Sequence, residues 1–347
     1  MRHPIVESDL EHVASCGVDF HKLAGKTILV TGANGFLPAY FIEALLYINE
    51  KKKLGIRVIG AVRNGEKGRL RFAAYRGRKD LRLLVGDASE ALRPSGPVHW
   101  ILHAASQASP MYYGTDPVGT LGPNIFGTSR LLELAREKGA AVLYFSSCEV
   151  YGETVKPLHK LREQDVGLVD PLHPRACYTE GKRMGETLCA AWHRQYGVHT
   201  IIIRIFHTYG PGMPLGDGRA FSDFVGDIVS NRDITVRGDG KAVRAYCYLA
   251  DTTTATFTAM LKGAPGTAYN IGNDKTDVSI LALARRLVKL FPEKKLRVVR
   301  HGWKPGTNYL PSPFPRFCPD ISRLRALGWG PTHGIDDGFR RTVLSYL

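Results

Sequence analysis

Six short apolar runs stand out along the first two thirds of the chain, at residues 27–30, 57–62, 81–85, 100–103, 141–145 and 200–203. They read as short apolar runs of the β type and predict strands. Between them the apolar positions take helical spacing. Phe36, Tyr40, Phe41, Leu45 and Tyr47 mark an amphipathic helix running to about Glu50, and a second helix is predicted over 180–196. Strands alternating with helices predict parallel βαβ units in a doubly wound α/β sheet. After Ile205 the pattern loosens. Gly and Pro cluster over 209–218, followed by a helix at 221–229, a strand at 243–248 and a helix at 252–261. A helix at 280–290, a strand at 296–299 and a Pro-rich stretch at 311–319 complete the chain. The division expected is an N-terminal extension (1–25) with a short helix at 7–14, and a dinucleotide-binding domain of 26–205 plus about 242–265. A smaller, interleaved C-terminal substrate domain takes about 206–241 plus 266–347.

Composition adds limits. At 347 residues, 44% hydrophobic and 23% charged, the chain can bury a sizeable core and is neither disordered nor fibrous. No run reaches the length of a membrane span, and Glu7, Asp9 and Glu11 stand where a signal peptide would be apolar. The six cysteines form no C-x-x-C pair, so neither a metal site nor a disulfide scaffold is expected, and a cytoplasmic setting follows. The net charge of +15 raises the question of nucleic acid. Residues 51–82 carry twelve basic residues against two acids, yet only Phe72 and Tyr75 are interleaved as aromatics. Without stacking residues or a nucleic-acid motif the block reads as a solvated basic face, and neither nucleic acid nor membrane is an expected partner.

Thr31-Gly32-Ala33-Asn34-Gly35 follows the first strand and opens the first long helix. Glycine lets backbone approach a pyrophosphate, and a helix N-terminus binds its charge, so this turn points to a nicotinamide dinucleotide on a Rossmann-type sheet. The third position of the G-x-x-G-x-x-G spacing is Pro38, tolerated in a first helical turn. Asp87, after the third strand, is placed to reach the adenine amino group. The second strand ends in Arg63 where an acid would hold the ribose of NAD, so the reading leans to NADP over NAD; stacking of Arg63 on adenine is the alternative.

Tyr178 and Lys182 are spaced i and i+4, which puts phenol and ammonium on one helix face, and Ser147 ends the preceding strand. A lysine cation beside a tyrosine lowers the phenol toward the range of a general base. With the glycine turn, this set resembles the extended short-chain dehydrogenase/reductases, the NAD-dependent epimerase/dehydratase family that modifies nucleotide sugars, from about Lys26 to the C-terminus. Within that family the phrases Ala108-Ser109-Pro110, Ser147-Cys148-Glu149-Val150-Tyr151-Gly152, Cys177-Tyr178 with Glu180-Gly181-Lys182-Arg183, and Thr208-Tyr209-Gly210-Pro211 most resemble the UDP-glucuronate decarboxylase (UDP-xylose synthase) group.

The resemblance implies oxidation of the sugar at C4 by Tyr178, Lys182 and Ser147, with Glu149 managing a proton near C5. It implies cofactor contacts from Gly32, Asn34, Gly35, Phe36, Leu37, Arg63, Asp87, Ala88, Ala104, Ala105, Ser106, Asn124, Tyr178 and Lys182. Gln107, Tyr113, His207, Arg219, Arg244 and Arg316 are implied on the substrate side, and a homodimer is expected. A 4,6-dehydratase and a C4 epimerase share the same 4-ketone and stay open. The thymidine-sugar dehydratases carry an acid where this chain has Cys148, and His207 replaces the asparagine expected before Tyr-Gly-Pro.

Overall fold

The computed structural model describes residues 2–153, 160–302 and 314–347. The extension forms helix α1 (Pro4–Ser15), and the alternating region runs β1 (Thr27–Thr31), α2 (Phe36–Lys52), β2 (Arg57–Val62), α3 (Gly65–Arg71), β3 (Leu81–Val85) and β4 (Trp100–His103). Three helices follow, α4 (Pro110–Thr115), α5 (Pro117–Gly122) and α6 (Thr128–Lys138), then β5 (Ala141–Ser147), α7 (Ala176–Tyr196) and β6 (Thr200–Ile205). The last part comprises β7 (His207–Tyr209), α8 (Ala220–Val229), β8 (Ile234–Arg237), β9 (Val243–Tyr248), α9 (Leu249–Lys262) and β10 (Thr267–Ile271). It continues with β11 (Asp277–Ser279), α10 (Ile280–Leu290), β12 (Val298–His301), β13 (Arg316–Phe317), α11 (Ser322–Ala326) and α12 (Ile335–Leu344).

Seven parallel strands form the central sheet in the order β10-β6-β5-β4-β1-β2-β3. Burial on both sides explains the apolar runs of β1, β2, β4, β5 and β6, while the edge strand β3 has no fully buried residue. Ile28 and Val30 of β1 face one core with α2 and α9, while Leu29 faces the other with Leu131, Leu132 and Cys189. The order reverses between β1 and β4, which opens a crevice at the carboxyl ends of those strands, where doubly wound sheets bind ligands. A four-stranded sheet of β7, β9, β11 and β13 and the pair β8–β12 build the smaller part beside it.

Two domain boundaries shift from the expectation. Strand β10 pairs with β6 in the central sheet, and β9 belongs to the small sheet. The run Thr267-Ala-Tyr-Asn-Ile was missed because its buried Asn270 breaks the apolar pattern; that side chain accepts from the Tyr151 hydroxyl at 2.5 Å. The strand expected at 296–299 lies at Val298–His301, and of the Pro-rich stretch, residues 311–313 fall outside the described residues.

Helix α1 packs on α2 and α9. Its buried Asp9 accepts from Tyr248 at 2.6 Å and is ion-paired with Arg341 of α12. Nearby, the Asp251 carboxylate takes hydrogen bonds from the Thr332 and His333 backbone N–H groups (3.1 and 2.9 Å) and from the Thr332 hydroxyl (2.7 Å). His333 Nδ1 lies 3.0 Å from the same carboxylate and His12 Nε2 lies 3.9 Å from it. This cluster ties the extension to the C-terminal segment. All six cysteines are free, and no helix among the described residues is long and apolar enough to cross a membrane.

Candidate active site

Helix α2 begins where β1 ends, and Gly32 makes that turn possible. Its φ is +64°, and a Cβ there would lie 2.8 Å from the Ala105 Cα. The approach is held by Thr31, whose hydroxyl accepts from the Ala104 and Ala105 N–H groups at 3.2 Å each. Gly35 caps α2 with no side-chain hydrogen bond among the described residues. The helix bonds begin at Ala39 and Pro38 has no N–H, so Phe36 and Leu37 present their N–H groups outward.

This turn forms one wall of a cavity of about 790 Å³. Arg63, Asp87 and Ala88 line one end, Ala104–Gln107 the middle, and Ser147, Glu149, Tyr178 and Lys182 the other. Tyr113, His207, Arg219 and Arg244 complete that far end. The cavity therefore gathers all but two of the residues singled out from the sequence. Asn124 lies fully buried behind the wall, donating to the Ser106 hydroxyl at 3.0 Å. Arg316 is off the cavity and ion-paired with Asp277 at 2.6 Å, because β13 runs beside β9 and turns its arginine toward β11. Of the basic block only Arg63 reaches the cavity; Arg71, Arg78 and Lys51 pair with Glu43, with Asp80 and Glu50, and with Glu11.

A nicotinamide dinucleotide fits these residues. A backbone cradle that a single Cβ at Gly32 would fill adjoins two outward N–H groups at a helix N-terminus, suited to a pyrophosphate. Arg63, 70% exposed, stands 4.0 Å from Asp87 at the opposite end from Tyr178.

At the Tyr178 end, Ser147 caps the short turn Cys148–Tyr151 by accepting from the Glu149 N–H at 3.2 Å, and it hydrogen-bonds Tyr178. Tyr113 stacks on Tyr178 with ring centroids 5.1 Å apart, and its hydroxyl donates to the Ala108 carbonyl. Helix α7 runs close over β5 because Gly185 lies against Tyr144, where a Cβ would collide with the phenol oxygen. That approach lets Lys182 donate to the Phe145 carbonyl at 2.6 Å.

The electrostatics differ from the expectation for the Tyr-Lys pair. Burial pushes the Tyr178 phenol up, although the Ser147 hydrogen bond opposes it. Burial also brings the Lys182 ammonium down to about 7. The ammonium is turned to the Phe145 carbonyl, 5.9 Å from the Tyr178 ring centre, so desolvation outweighs the attraction that spacing alone implied. A lysine poised near neutrality suits proton exchange rather than fixed charge.

The sequence reading missed Arg175. Its guanidinium, 5% exposed, donates to Glu149 Oε1 at 2.5 Å and lies 5.1 Å over the Tyr113 ring. It sits in a non-periodic Pro-Arg-Ala turn just before α7, and only its place three residues before Tyr178 hinted at a role. Glu149 Oε2 is buried with no hydrogen-bond partner among the described residues. His207 Nδ1 is in the same condition; burial, with Arg244, Arg219 and Arg175 nearby, holds this imidazole well below its usual range and so neutral.

Residues 28–272 match the NAD dependent epimerase/dehydratase family model. UDP-glucuronic acid decarboxylase 6 of Arabidopsis thaliana is 34% identical over 314 residues, 90% of this chain and 86% of that protein. The DesIV dTDP-glucose 4,6-dehydratase of Streptomyces venezuelae, solved with NAD and TYD bound, superposes with a TM-score of 0.77 at 25% identity, covering 92% of this chain and 96% of that one. The Bacillus cereus UDP-glucuronic acid 4-epimerase, solved with UDP-glucuronic acid and NAD, gives 0.76 at 24% identity over 92% and 98%. The glycine turn, the Ser147–Tyr178–Lys182 constellation and the matched 28–272 span agree: this chain belongs to the NAD-dependent epimerase/dehydratase family.

Proposed function

We propose that this chain is a nucleotide-sugar decarboxylase acting on UDP-glucuronate, with a retained nicotinamide cofactor. One observation carries the reading: Glu149, with a carboxylate oxygen that has no partner among the described residues, lines the same end of the cavity as Ser147 and Tyr178. The 34% identity to a UDP-glucuronic acid decarboxylase supports it. A nicotinamide dinucleotide held by Gly32, Asn34, Gly35 and Arg63 would supply reversible hydride acceptance at C4 of the sugar, so the cycle would carry no net redox change. Tyr178 gives its own phenol proton up toward Lys182 as it takes the proton of the 4-hydroxyl, which Ser147 holds by hydrogen bonding. The 4-ketone lies β to the C5 carboxylate, so the C5–C6 bond breaks, carbon dioxide leaves and the electron pair is held as an enolate. Glu149 then serves the proton that C5 needs. Arg219 and Arg244 face the diphosphate, where guanidinium groups match phosphate oxygens.

The dehydratase alternative needs an acid beside Glu149 to protonate a departing hydroxyl. That place holds Cys148, whose buried thiol is pushed up to about 12, too weak for the task. Incubation with a panel of nucleotide sugars and mass analysis of the products tests the proposal. Loss of carbon dioxide from UDP-glucuronate alone, abolished in Tyr178→Phe, is expected; loss of water, or an isomer of unchanged mass, overturns it.

We infer a lean to NADP over NAD: Arg63, an exposed cation 4.0 Å from Asp87, supports it as a partner for a 2′-phosphate. Arg63→Ala removing a measured NADP preference bears this out; wild-type protein that binds NAD better contradicts it. We also infer a homodimer. Val118 and Phe126 are 78% and 62% exposed beside α7, which itself leaves Met184 exposed, and a second copy covers such a face. Light scattering at twice the chain mass is expected, and a monomer refutes it.

A further inference from the structure

Among the described residues, Glu149 is held at one oxygen. Its Oε1 receives the Arg175 guanidinium at 2.5 Å, while Oε2 is buried and without a partner among the described residues, in a side chain that lines the cavity. Both side chains are largely sequestered, 15% exposed for Glu149 and 5% for Arg175. The two residues come from different segments, and each is pinned by its own backbone. Glu149 sits in the turn capped by Ser147. Arg175 precedes the first turn of α7, with its N–H donated to His173 Nδ1 at 3.2 Å and its carbonyl accepting from the Tyr178 N–H at 3.2 Å. The guanidinium also lies over Tyr113, which stacks on Tyr178. One arginine therefore links the carboxylate to the aromatic pair that carries the phenol.

We propose that Arg175 is a positioning residue: it clamps one oxygen of Glu149 so that the other delivers a proton to a single face of the sugar C5. The inference rests on the decarboxylase reading. When the C5–C6 bond breaks, its electron pair enters the C4–C5 enolate and carbon dioxide departs. The enolate collapses to the 4-ketone as C5 gains one proton, which Glu149 Oε2 relays from solvent water. A carboxylate free to rotate could present either oxygen from either side. Fixed at Oε1, it offers one direction of approach. Arg175 acts through Glu149, since its guanidinium is engaged by that carboxylate and the Tyr113 face. Positional control of this kind typically contributes about 10²-fold to a proton transfer.

The test is turnover of UDP-glucuronate in deuterium oxide, with the C5 position of the product read by proton NMR. Wild-type product is expected to carry one deuterium at C5 in a single configuration. In Arg175→Ala the deuterium spreads over both configurations, kcat falls about 10- to 100-fold and KM changes less than about threefold. Reduced nicotinamide, read at 340 nm, builds up because the enolate waits for its proton at C5. Arg175→Lys, which keeps a cation within reach of Glu149, recovers the single configuration and shows that the alanine result is not misfolding. Single-face deuteration by Arg175→Ala, or a rise in KM with kcat unchanged, overturns the inference while leaving decarboxylation standing. Wild-type protein that releases no carbon dioxide overturns the decarboxylase reading and this inference with it.

Discussion

Replacing Gly32 by alanine tests whether the β1 turn is built for close approach or is merely flexible. At φ +64° any L side chain bears the left-handed penalty of about 1–2 kcal/mol. Loss of unfolded-state freedom returns about 0.4–1 kcal/mol. Gly55 supplies the control, since its φ is +67° and nothing among the described residues lies within 4 Å of its Cβ position. Gly55→Ala should therefore destabilise by about 0.5–1 kcal/mol, the difference of those two effects. Gly32→Ala adds a contact of 2.8 Å with the Ala105 Cα and 3.0 Å with its nitrogen. Ordinary contacts begin at 3.4 Å, so the loops after β1 and β4 must part by roughly 0.6 Å. Both Thr31 hydrogen bonds resist that movement. The expected cost is about 2–4 kcal/mol, with nicotinamide dinucleotide bound at least about tenfold more weakly. Urea unfolding of the ligand-free protein gives the first quantity and calorimetric titration with the dinucleotide the second. Equal destabilisation by the two variants with unchanged dinucleotide affinity would refute the reasoning.

Lys182 sits near 7 in the folded protein against 10.5 for an ordinary lysine, so the unfolded chain binds the extra proton between those values. Wild-type stability should accordingly rise relative to Lys182→Met as pH goes from 6 to 9; a constant difference in urea midpoints would contradict the assignment. His207 offers a neutral imidazole to the substrate side of the cavity, so His207→Phe should raise KM about tenfold with little change in kcat, and His207→Asn should stay within about threefold of wild type. Initial rates at saturating and limiting substrate separate these outcomes, and a fall in kcat alone would show that His207 does something else. Burial would lower His333, but its hydrogen bond to Asp251 prevails and raises it. Its stabilisation is thus full below about 6.5 and fades as pH rises through the folded value. His333→Ala should cost about 1–3 kcal/mol at pH 5.5 and less at pH 9; a loss independent of pH would refute an ionic clamp.

The parts of the fold that repeat a physical pattern were legible in the sequence. Strand Thr27–Thr31 and the stretch 200–203 are buried on both faces, so every position there is apolar or small, and the run marks itself. Helices α4 and α5 were not read, because Pro110, Gly114, Pro117, Gly119, Gly122 and Pro123 interrupt any periodicity between residues 110 and 123. Strand β10 hid behind Asn270, which is buried yet fully bonded. At the site, the glycine turn and the Tyr178–Lys182 spacing were visible as motifs tied to one element. Arg175 was not, since its partner Glu149 lies 26 residues away and only the folded chain joins them. The sign of the lysine effect was also out of reach: spacing gives proximity, whereas burial sets which charge survives.

The central claim is that the cavity breaks the C5–C6 bond of a nucleotide-linked uronate. UDP-glucuronate labelled with carbon-13 at C6 alone, incubated with the purified protein, tests it most directly. The account predicts that all the label appears as carbon dioxide, with an unlabelled UDP-pentose formed in equal amount. Label retained in a nucleotide sugar, whether isomerised or dehydrated, would contradict it.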